Sequence, residues 1–128
     1  MRLASLGIAL VVALLCDASL AHGQRATERF IPIGQSPGIS GRLSTQGTIV
    51  GVDPGQRRIA IETPTGRVSV RVEDSTRIWI DRHDRGEGVL SGSFDDLCEG
   101  CSAEVKYADP ETREVAEWVK LQPPAPSP

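Results

Sequence analysis

The chain has 128 residues, 24% of them charged and 4% aromatic, with a formal net charge of −3 at pH 7. That length fits one small domain around one core. Mild acidity and few aromatic side chains exclude the basic footprint and stacking platforms expected of a nucleic-acid binder.

Met1 and Arg2 are followed by an apolar run from Leu3 to Leu15 and then by "ASLAHGQ". This is the order of a secretory signal peptide, charged, then apolar, then small at the cleavage site. A bilayer-spanning helix needs about 20 apolar residues, and this run is shorter and closes at Asp17, so residues 1–23 read as a removed leader with no integral span left behind. Small residues permit cleavage after Ala21 or after Gly23. Cys16 invites a lipidation reading, but Leu15 is bulkier than the residue such processing wants. The leader removes Arg2, Asp17 and Cys16 together, so the charge stays at −3. Two cysteines are left, Cys98 and Cys101, in a chain addressed to the periplasm or outside the cell, where a disulfide is the default.

Residues 24–46 mix Pro, Gly and Ser without a period and read as an extended arm, with "FIPI" apolar enough for an edge strand. A series of short alternating runs between turn signals follows over residues 47–121. "GTIVGVD" ends at Asp53-Pro54-Gly55, a turn in which Pro presets one backbone angle and Gly the other. "RRIAIE" ends at "TPTG". "RVSVRV" sets Val68, Val70 and Val72 against Arg67, Ser69 and Arg71, the clearest period of two in the chain. "TRIWID" buries Ile78 and Ile80 and turns Trp79 the other way. "RHDRGEGVLSGSFDDL" reads as a solvated loop and then one helical turn capped by Ser93. "SAEVKY" sets Ala103, Val105 and Tyr107 against Ser102, Glu104 and Lys106. "REVAEWVKLQ" follows the hairpin turn "ADPET" and reads as a closing strand. "PPAPSP" makes residues 122–128 a disordered tail. The predicted class is all-β, a small OB-like barrel of five to six strands with one short helical turn.

"GTIVGVD", "TRIWID", "DLCEGCSAEVKY" and "REVAEWVKL" together resemble a family of small exported bacterial domains of unknown function with OB-like barrels. The shared patterns are G-x-I-x-x-V-D, T-x-I, D-L-x-x-G-x-x-V-x-V and a closing A-x-x-I/V. The resemblance spans residues 47–121 and implies a β-barrel. Its motifs are turns and strand faces, so it implies no catalytic residue.

Cys98 and Cys101 bracket Gly100, the position where that pattern requires an unusual backbone angle. Three readings stay open: a disulfide staple on the turn, thiol-disulfide exchange, and a soft ion such as copper or zinc. Asp95, Asp96 and Glu99 disfavour a thiolate, and a strand follows where a reactive pair usually has a helix N-terminus. Ser102 stands where haem attachment needs histidine. His83 is a weak candidate ligand among loop charges, and the mature chain has no methionine to support a copper carrier built around Trp79. His22, should it become the amino terminus, is a remote copper chelator. Neither a nucleophile elbow nor a phosphate-binding loop is present. Asp81, Asp84 and Glu87 read as solvated charges. Arg58, Arg67 and Arg71 form an outer row, with Glu62 expected across from Arg67. The expected function is therefore a non-catalytic binding or structural module without a cofactor, whose partner, a protein or small ligand, meets either the outer face with Trp79, Arg67 and Arg71 or the loop from Arg82 to Gly92. The competing role for Trp79 is to pack under the arm.

Overall fold

A computed structural model describes residues 27–125. The expected signal peptide and its expected cleavage sites, Cys16, His22 and the last three residues of the chain lie outside the described residues. These form an all-β fold, as the alternation predicts: β1 (Ser44–Asp53), β2 (Arg58–Thr63), β3 (Gly66–Arg71), β4 (Arg77–Asp81), β5 (Val89–Ser91), β6 (Ser102–Tyr107) and β7 (Ala116–Gln122).

The seven strands make one sheet in the order β3-β2-β1-β6-β7-β4-β5. All pairs are antiparallel except β4 with β7. The ladder is not closed into a barrel: β3 and β5 are its two edges. Chain continuity brings those halves together, since β3 leaves β2 at Arg71, whose amide donates to Glu114 O at 2.8 Å, and a parallel bridge joins Arg71 to Val115. The Thr76 hydroxyl then donates to Ala116 O at 2.7 Å, and β4 continues beside β7.

Strand β1 serves two partners, β6 over Ser44–Thr48 and β2 over Thr48–Asp53. At the changeover a Cβ on Gly47 would stand 2.1 Å from the Glu62 carbonyl oxygen. Only glycine lets the two backbones approach so closely.

The inward faces carry Ile49, Ile59, Ile61, Val70, Val105, Val119 and Leu121, each no more than 1% exposed. Full burial of such a side chain stabilises by about 1.5–3 kcal/mol. The period of two in "RVSVRV" and "SAEVKY" therefore holds in three dimensions.

Several expectations are corrected. There are seven strands among the described residues, one more than the expected five to six, because Val89–Ser91 inside the Gly-rich loop pairs with β4. Single 3-10 turns stand at His83–Arg85 and Phe94–Asp96, so the Ser93 turn is present but has company. Residues 27–43 do not run extended. They fold as successive turns, with Ile31 N donating to Glu28 O, Gln35 N to Pro32 O and Leu43 N to Ile39 O. Gly34, Gly38 and Gly41 all take positive φ, which breaks any strand that "FIPI" could start. After Asp53-Pro54-Gly55 the positive angle falls on Arg57, φ 54°, and not on Gly55. Arg57 is held there by donating Nε–H to Val72 O at 3.1 Å and by stacking over Phe94. The turn at "TPTG" is tight, as expected, with Glu62 opposite Arg67.

Candidate functional site

One lateral row of the sheet runs Trp79, Lys120, Glu104, Gln46, and the next runs Arg77, Trp118, Lys106, Ser44. All project on the face away from the aliphatic core. Alternation alone reads that face as solvated, yet Glu104 is 0% and Lys120 1% exposed. The cover is the arm, residues 27–43.

The arm is held by polar contacts to charges in the sheet. Glu104 accepts from Gly34 N at 3.0 Å and from the Ser40 and Ser44 hydroxyls at 2.6 and 2.7 Å. Lys120 Nζ donates to Ile31 O at 2.8 Å and to Ser36 Oγ at 2.9 Å, and lies 3.8 Å from Glu28 Oε2. Asp81 accepts from Ile33 N at 3.0 Å. A buried charge is tolerable only with such a set of partners. Burial pulls the Lys120 ammonium below its ordinary pKa; Glu104, Glu28 and Asp81 oppose that fall without cancelling it. Burial pushes the Asp81 carboxyl up, but the amides of His83 and Ile33 and the His83 imidazole outweigh it, and its pKa lies below the ordinary value.

Beneath the arm, Trp79 and Trp118 pack with ring centroids 5.6 Å apart. They are 6% and 4% exposed, and Lys120 Nζ sits 4.6 Å from the Trp118 ring centroid. Trp79 thus does turn away from the core, and it packs under the arm. Between the arm and these rings opens a cleft of about 760 Å³, within the range of small-molecule sites. Ile31, Ile39 and Leu43 line its arm side; Trp79, Trp118 and Arg77 line its sheet side.

The other sequence candidates lie elsewhere. Arg67 Nε donates to Glu62 at 3.1 Å, the expected cross-strand pair. Arg71 pairs with Glu73 at 3.2 Å, beside a shallow depression that also holds Arg57 and Asp74. Arg58 faces Arg71 across β2–β3. Arg67 and Arg71 are engaged with Glu62 and Glu73, whereas Trp79 is buried beneath the arm, so the three do not form one contact cluster. His83 is exposed, and its Nδ1–H donates to Asp81 Oδ1 at 2.5 Å. The Asp81 oxygen can only accept, so Nδ1 carries the proton.

Cys98 and Cys101 are joined as a disulfide with Cα atoms 5.5 Å apart, inside the usual range. Gly100 takes φ 90° between them, as the turn pattern requires. Gly100 N donates to Ile49 O and Ile49 N to Cys101 O, each at 2.8 Å, and tie the turn to β1. Cys101 is fully buried in the core. The bond closes so short a loop that its entropic contribution is about 2 kcal/mol at most. Among the described residues no three His, Cys, Asp or Glu side chains are grouped to hold a metal ion, and no helix is long and apolar enough to cross a membrane.

Sequence reasoning missed that Trp118, Glu104 and Lys120 are gathered beneath the arm. The available signal was that both tryptophans of the chain fall on the polar phase of their strands. Comparison with protein-family models, curated proteins and solved structures finds no match for the chain.

Proposed function

We propose that the chain is an exported, periplasmic binding module without catalysis, built on an OB-like β-fold and related to the small exported family it resembles. The N-terminal leader pattern and the Cys98–Cys101 disulfide support export. A β1 shared between β2 and β6, with β7 antiparallel to β6 and parallel to β4, supports the OB-like reading.

The observation that carries binding is the cleft between the arm and the Trp79–Trp118 pair. It joins apolar walls to a few convergent polar groups, the usual composition of a ligand site. The neutral apolar dye Nile red tests it with the full mature chain. Saturable one-to-one binding is expected, abolished by Ile39→Glu, which sets a charge in the apolar wall. Absence of saturable binding, or binding untouched by that substitution in a folded variant, contradicts the reading.

A further inference from the structure

The charges that line the cleft are unequally engaged. Lys106 forms an ion pair with Glu117. Glu28 accepts from the Ser36 hydroxyl at 2.8 Å and lies beside Lys120. Arg77 differs: it is exposed at the rim, in register with Trp118, and its guanidinium makes no hydrogen bond or ion pair among the described residues. Ser75 stands next to it on the same rim.

A guanidinium is always charged and offers a planar fork of donors that matches a carboxylate. A cationic ligand would have to draw Glu28 or Glu117 from partners they already hold. A neutral ligand would gain nothing from Arg77. A dianionic group would need a second available cation, and Lys106 is committed to Glu117. Among the described residues, one uncommitted positive charge stands beside the apolar wall, and it selects a single negative charge on an apolar body.

We propose that the cleft binds a small amphiphilic monocarboxylate, its head on Arg77 at the rim and its alkyl or aryl body against Ile39, Leu43 and Trp79. This assignment rests on the cleft being a binding site, and it adds the ligand class. The Arg77 contact is solvent-accessible, so its contribution is moderate, worth roughly five- to ten-fold in affinity.

Titration calorimetry of the mature protein with octanoate, octanol and trimethyloctylammonium separates the two claims. Octanoate is expected to bind one-to-one and more tightly than the other two. Arg77→Gln, an exposed change whose folding is checked by thermal unfolding, is expected to bring octanoate down to the octanol level and leave octanol unaltered. Equal octanoate affinity in wild type and Arg77→Gln overturns the assignment, as does trimethyloctylammonium binding as tightly as octanoate. Should Nile red and octanol bind without any preference for octanoate, the ligand class falls and the cleft stands. Should none of the four probes bind, both fall.

Discussion

Lys120 shows how a single side chain ties two parts of the fold together. Its ammonium is buried among Ile31 O, Ser36 and Glu28, across the ladder from Glu104. Removing one partner from such a set leaves the others buried and uncompensated, which costs about 3–5 kcal/mol. Lys120→Met is expected to lose stability of that order in urea unfolding, and Lys120→Met with Glu104→Gln to lose less than the single change. Asp81 supplies the acid response. Its folded pKa is below the ordinary 3.8, so its contribution is fully present above that value and is lost as pH falls through the folded pKa. The stability gap between wild type and Asp81→Asn should therefore narrow as pH falls from the ordinary 3.8 through the lower folded pKa, as followed by thermal unfolding. Lys120 has the other sign of charge but the same slope. With a folded pKa below its ordinary 10.5, the unfolded chain binds the extra proton in that window, and stability from this group rises as pH approaches 10.5.

At the scale of elements, the strands were legible and the arm was not. Val68 and Val70 announce β3, and Ala103, Val105 and Tyr107 announce β6, because alternation reports which side of a strand meets the core. It does not report what meets the other side. Glu104 and Lys106 fall on the polar phase of β6, and register with residues 27–43 is invisible in a one-dimensional pattern; only the placement of Trp79 and Trp118 on the polar phase of their strands hinted at a cover. For Cys98 and Cys101 the spacing left a staple, thiol exchange and a soft-metal site open, and the disulfide geometry selects the staple. The three-residue β5 was hidden by the glycines around it. Gly47 belongs to this scale too. It lets β1 cross from β6 to β2, and a methyl group there meets the Glu62 carbonyl at 2.1 Å. Gly47→Ala is expected to cost about 1–3 kcal/mol by forcing the backbones apart, read as a lowered urea midpoint, whereas Gly51→Ala at 3.5 Å from its neighbour should cost less.

For the whole molecule, the sheet has two differently built faces. One is a dry aliphatic core. The other is a charged and aromatic face roofed by a segment of turns, with the cleft between roof and sheet. This second face gives the fold its candidate site, and it exists only while the arm is docked. Amide hydrogen exchange of the protein, read by NMR, tests that docking most directly. Gly34 N–H donates to Glu104 and Ile33 N–H to Asp81, so both should exchange far more slowly than free-peptide amides, and Glu104→Gln should speed Gly34 while β2 amides stay protected. Free-peptide exchange at both positions in the wild-type protein would contradict a docked arm, and with it the cleft.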